Sequence, residues 1–132
     1  MSMNGIIKTL KNAPDFIGGT GRTEAEIKSA EKELGINFAP DYKTYLKEIG
    51  LACFDGHELT GICEDPRLDV VHVTKDQCKN NPEAKNYYVI EEANIDGIVI
   101  WQDNAGKIYM TVENSKPRIV ADSMVDYILK HL

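Results

Sequence analysis

Thr23 to Gly50, TEAEIKSAEKELGINFAPDYKTYLKEIG, constrains the fold more than any other stretch of the chain. Two consecutive helices are written there with their start and stop signals. Thr23 followed three residues later by Glu26 forms a capping box, in which hydroxyl and carboxylate each satisfy a backbone N–H left unpaired by the first turn. Ile27, Ala30 and Leu34 then recur at helical spacing. Gly35 supplies a left-handed residue that stops the helix, with Ile36 and Phe38 folding back as apolar cover. Pro40 opens the second helix, because a first-turn residue has no intrahelical partner for its N–H. Tyr42, Tyr45, Leu46 and Ile49 form its buried stripe, and Gly50 ends it. Packing and capping account for every residue here, so this stretch alone names no chemistry.

Before this pair, residues 3–11 predict a short amphipathic helix with Ile6, Ile7 and Leu10 on one side, broken at Ala13-Pro14-Asp15. Gly18-Gly19-Thr20-Gly21-Arg22 precedes the capped helix, where helix N–H groups attract anions. No clear strand leads into these glycines and no Gly-Lys-Ser/Thr ending follows, so the stretch reads as a plain linker rather than a phosphate cradle.

After Gly50 the periodicity becomes extended. Residues 58–63 and 68–73 read as strands about the Glu64-Asp65-Pro66 turn, and Thr74 with Gln77 repeats the capping-box spacing for a short helix stopped by Pro82. Residues 87–92, 98–102 and 107–112 read as further strands. Their connections carry Asp96-Gly97 and Asn104-Ala105-Gly106, and are too short for anything but antiparallel neighbours. Residues 118–121 suit an edge strand, and Ser123 caps a last helix with Met124, Val125, Ile128, Leu129 and Leu132 on its apolar side. The expectation is one α+β domain over 1–132: an N-terminal helix and Gly-rich entry over 1–22, and a core over 23–132. In it the helix pair and the C-terminal helix cover one face of a mostly antiparallel sheet of five to six strands.

An ordered set of residues resembles the SUKH superfamily. It comprises Glu24-x-x-Ile27-x-x-x-Glu31-x-x-Leu34-Gly35, Pro40-Asp41-Tyr42, Tyr45-Leu46 and Gly50. Glu58-Leu59-Thr60-Gly61, Tyr87-Tyr88-Val89-Ile90, Asp96-Gly97 and Ala121-Asp122-Ser123 follow in the same order. The resemblance spans roughly residues 20 to 132, and departs where Ala39-Pro40 replaces the usual Leu-Pro. It implies a domain of the kind found in bacterial immunity proteins and yeast cell-wall-assembly regulators.

Residue chemistry narrows the function separately. With 42% hydrophobic and 27% charged residues the chain has the composition of a soluble globular domain, and it has no apolar run long enough to span a membrane. The opening MSMNGIIKTLKN lacks a signal-peptide core, and three cysteines make no disulfide framework; both point to the cytosol. Net charge is −6, unevenly placed. Residues 1–50 balance seven acids with seven bases, whereas 51–113 hold twelve acids against five bases. An acidic middle disfavours nucleic-acid phosphate and favours a basic protein partner.

Cys53, Asp55, His57 and Glu58 form the most enzyme-like cluster, but Cys53 among Leu51, Ala52 and Phe54 reads as a small buried hydrophobe. Cys63, Cys78, His57 and His72 lack metal-site spacing, and no cofactor motif is present. No catalytic residue is therefore assigned. The candidate partner-binding residues are Glu64, Asp65, Asp69, Glu91, Glu92 and Asp96, with strand alternation placing Glu91 and Glu92 on opposite faces. Trp101 joins them. It shares a face with Val99, and is either an exposed anchor within the acidic rim or covered by the N-terminal segment. With the resemblance, these residues predict a non-enzymatic immunity protein that binds a basic toxin domain, such as a nuclease. A regulatory scaffold like the cell-wall-assembly regulators is the alternative.

Overall fold

The computed structural model of the chain describes residues 1–93, 95–113 and 115–132. Helix α1 (Met3–Leu10) leads to a two-residue strand β1 (Ile17–Gly18), then the helix pair α2 (Glu24–Leu34) and α3 (Pro40–Glu48). The hairpin β2 (Ala52–Phe54) and β3 (His57–Leu59) follows, then α4 (Val70–Cys78) and a 3-10 turn at Pro82–Ala84. Strands β4 (Tyr88–Glu92), β5 (Val99–Gln102), β6 (Ile108–Thr111) and β7 (Arg118–Ala121) precede α5 (Met124–His131). The strands form one seven-stranded sheet in sequence order, every neighbouring pair antiparallel. The α+β class holds, with seven strands rather than five to six. No helix among the described residues is long and apolar enough to cross a membrane.

The helix pair forms as its signals dictate. Thr23 Oγ1 accepts from the Glu26 N–H at 3.2 Å while Glu26 Oε1 accepts from the Thr23 N–H at 3.0 Å. Gly35 adopts the left-handed conformation, and Pro40 occupies the first turn of α3. Tyr42, Tyr45 and Leu46 are fully buried. Burying a tyrosine requires a partner for its hydroxyl. Thr60 serves two of them: its hydroxyl donates to the Val89 carbonyl and so accepts from Tyr42, while its own carbonyl accepts from Tyr45 at 2.7 Å.

The Gly-rich entry is not a linker. Ile17 and Gly18 pair with Cys53 and Ala52, and the Gly19 N–H donates to the Leu51 carbonyl at 2.9 Å. A Cβ at Gly21 would lie 2.1 Å from the Lys47 carbonyl oxygen, so glycine here permits backbone contact rather than flexibility. Gly61 plays the same part against Gly50, with a Cβ placed 1.8 Å from its carbonyl oxygen.

The largest departure is α4. Residues 68–73 are not a strand, and Thr74 is not a cap. Asp69 caps the helix by accepting from the His72 N–H at 3.2 Å and holds the preceding loop through the Cys63 N–H at 3.3 Å. Thr74 lies buried inside the helix, its hydroxyl accepting from the Val89 N–H at 3.0 Å. The β-branched run Val70-Val71-His72-Val73 masks a helical pattern in which Val70, Val73 and Thr74 are buried.

With α4 a helix, both faces of the sheet are covered. The larger core joins α1, α2, α3 and α5 to one face through Leu59, Tyr88, Ile90, Ile100 and Ile108. Val73 of α4 and Ala84 of the 3-10 turn close a smaller core over Val89, Val99 and Trp101 on the other. Trp101 is therefore fully buried, its indole N–H donating to Thr111 Oγ1 at 2.9 Å. It is not an exposed anchor, and its cover is α4 and the 3-10 turn rather than the N-terminal segment.

Candidate functional site

The predicted acidic residues divide among three places. Glu64 and Asp65 are exposed on the connection between β3 and α4, and Asp69 next to them is occupied as the cap of α4. Arg67 lies among these acids and partly neutralises them. Its guanidinium donates to both Glu58 oxygens at 2.8 and 3.0 Å and comes within 4.0 Å of Asp65. Those bonds hold the Glu58 carboxyl below its ordinary range.

Glu92 and Asp96 lie at the other end of α4, about 14 Å away by the rise of a nine-residue helix. There Glu92 lines a hollow of about 540 Å³ with Glu113, Gln77, Asn80, Asn81, Gly97, Ile98 and Val99. Gln77 Nε2 donates to Glu92, fixing its carboxylate at the wall. Asp96, exposed beside Gly97, stands in the turn that borders the hollow. Among the described residues the lining has two carboxylates, three side-chain amides and no base. This arrangement suits a cationic side chain of a partner, with amides to hold its remaining donors or acceptors. Glu113 and the amides carry no local signal, because strand pairing and the C-terminal end of α4 bring them together.

Glu91 does not belong to this acidic surface. A β-bulge between Val89 and Glu91 sets Ile90 and Glu91 together against Ile100, so Glu91 enters the α5 side of the sheet. It is buried there, with His57 Nδ1 at 2.9 Å from one oxygen and the Tyr127 hydroxyl donating to the other. His131 completes the cluster, its ring 4.6 Å from that of His57 and 4.7 Å from that of Tyr127. Burial, then the Glu91 charge, raises the Tyr127 hydroxyl above its ordinary range, so it remains a donor. Burial and the adjacent His57 hold His131 below 6.5. The cluster lines a cleft of about 490 Å³ on the other face of the sheet from the acidic hollow, the two meeting at Ile98. Its members lie far apart in the chain, and sequence spacing gives no hint of them.

Cys53 and His57 are not brought together as a nucleophile and base. Cys53 pairs across the hairpin with Glu58, and His57 with Phe54, which puts thiol and imidazole on opposite faces. Burial first, and Glu58 second, push the Cys53 thiol up, away from the reactive thiolate. Among the described residues, no three His, Cys, Asp or Glu side chains converge as a metal ligand set.

A helix-flanked antiparallel sheet thus carries an acidic, amide-lined hollow, and Cys53 and His57 form no nucleophile–base pair. The chain matches the SUKH family model described as SMI1-KNR4 cell-wall over residues 3–132, and it belongs to that family. The family includes immunity proteins and SMI1/KNR4-like proteins. Comparison with curated proteins finds no significant match.

Proposed function

We propose that this protein is a non-enzymatic, cytosolic immunity protein that neutralises a cognate toxin domain by binding it directly. The observation that carries the reading is the acidic hollow at the C-terminal end of α4, in a chain whose acidic excess lies in residues 51–113. A basic toxin surface would be steered to it, and nucleic acid repelled from it, by the same charges. A nuclease toxin, whose substrate cleft must be basic, is the partner chemistry that fits best. Glu64 and Asp65, at the far end of α4, are a second point of contact for an extended basic surface.

The test is association with any toxin domain found encoded in the neighbouring genes, measured by stopped flow at low and high salt. The triple neutralisation Glu92→Gln, Asp96→Asn and Glu113→Gln should slow association about tenfold at low salt, with little change at high salt. Glu64→Gln with Asp65→Asn should slow it less, since Arg67 already offsets that group. A tight complex indifferent to both sets and to salt would remove the acidic surface from the interface. The family description favours one other reading, a regulatory scaffold, for which no tight complex with a neighbouring toxin would form.

A further inference from the structure

The cleft on the α5 side of the sheet has the opposite character to the hollow. Its floor is apolar, with Ile98, Ile100, Met110 and Val120, and Ile95 stands at its mouth 63% exposed. Its charged rim is basic. Arg118 and Lys130 border it together with the imidazoles of His57 and His131. The single acid in the lining is Glu91, and both of its oxygens are already engaged by His57 and Tyr127. Among the described residues neither Arg118 nor Lys130 is ion-paired within 4 Å. Lys130 and Val120 also border the outer side of β7 with Asp122 and Asp126, and neither of those acids lines the cleft. In a chain of net charge −6, an apolar cleft ringed by unpaired cations stands out as a separate surface.

We infer that this cleft docks a segment of a partner protein that carries large apolar side chains flanked by carboxylates. The apolar side chains would cover Ile100, Met110 and Val120, and the carboxylates would meet Arg118 and Lys130. Charge complementarity selects that chemistry, since a basic segment would meet unpaired cations and gain nothing from the engaged Glu91. The segment does not add as a strand to the sheet edge. Val120 is the extra residue where β6 and β7 shift register, and its carbonyl is taken by Lys130 Nζ, which blocks the edge of β7. The cleft and the acidic hollow open on opposite faces of the sheet and meet at Ile98, and the acidic chemistry of this segment distinguishes it from the basic toxin. The inference does not rest on the toxin reading.

The test is a titration of methyl-labelled full-length protein with two synthetic peptides at pH 7.5, read by the Ile100 and Met110 methyl resonances. One peptide alternates Leu and Phe with Asp and Glu; the other replaces every acid by Lys. The acidic peptide should shift the cleft methyls, and the lysine peptide should bind at least about tenfold more weakly. Arg118→Glu, at an exposed position that leaves the fold intact, should weaken the acidic peptide by a similar factor. Equal shifts from both peptides, no shift from either, or indifference to Arg118→Glu would overturn the proposal. So would cleft shifts that grow with protein concentration without peptide, which would assign the cleft to a second copy of the chain.

Discussion

Tyr88 ties three elements together through one hydroxyl. It donates to Gln102 Oε1 at 2.5 Å and accepts from the Ala39 N–H at 2.9 Å. Gln102 passes the chain on to Asp41 Oδ1 at 2.9 Å and the Gly106 carbonyl at 3.0 Å, and Asp41 Oδ2 accepts from the Met124 N–H. The start of α3, strands β4 and β5 and the start of α5 are thus fixed by the buried Tyr88 and Gln102 and the half-buried Asp41. Burial holds the Tyr88 hydroxyl well above its ordinary pKa, so it stays protonated and able to donate. Tyr88→Phe keeps the ring and strands the Ala39 N–H and Gln102 Oε1, which should cost about 1–3 kcal/mol. Urea melts with an unchanged m-value check it. A neutral result would mean that water reaches Ala39 and that the chain is not sealed. At this scale the sequence shows that Tyr42 and Tyr45 point inward, but not which oxygen satisfies them. Thr60, Gln102 and Asp41 are polar residues whose partners lie up to 83 positions away.

Helix α4 shows where element-scale reading stops. Asp69 before Val70, with Val73 and Thr74 returning on the same face, is a helix start; the run Val70-Val71-His72-Val73 suits a strand as well. Local preference is close to balanced, and packing against Val89 and Trp101 decides for the helix. Asp69→Ala should therefore cost about 0.5–2 kcal/mol through the lost cap, while Asp69→Asn, which keeps the acceptor, should cost much less. Chemical denaturation of the two variants tests this, and equal losses would mean that Asp69 acts through its charge rather than as a cap. Misreading this one element also hid the cover of Trp101. Strand alternation correctly separates Trp101 from Ile100, yet it cannot say that a helix lies over the second face. The bulge in β4 is a second element-scale decision, since it places Glu91 in the interior beside His57 and Tyr127.

Across the whole molecule, stability should fall with acidification in two stages. His131 has its folded pKa below 6.5, so the unfolded chain binds that proton first and stability declines as pH drops through 6.5. The decline ends below the folded pKa. Glu58, held below 4.5 by Arg67, contributes stability above 4.5 and loses it as pH falls through its own lowered value. Urea midpoints between about pH 3 and 7.5 should show a shoulder and then a second fall, and His131→Gln should remove only the shoulder. A shoulder that survives the substitution would assign it to another group. The sequence by itself determined the helix pair, the antiparallel order of strands, the capped final helix and the acidic middle. Each of these is encoded within a few residues, by a cap, a turn or an alternation. Tertiary structure alone decided that residues 70–78 coil, that Trp101 is covered, that Glu91 turns inward, and that Glu92 and Glu113 share one hollow. Those outcomes depend on contacts between residues distant in the chain, where burial and hydrogen-bond satisfaction outweigh a local preference that is nearly even.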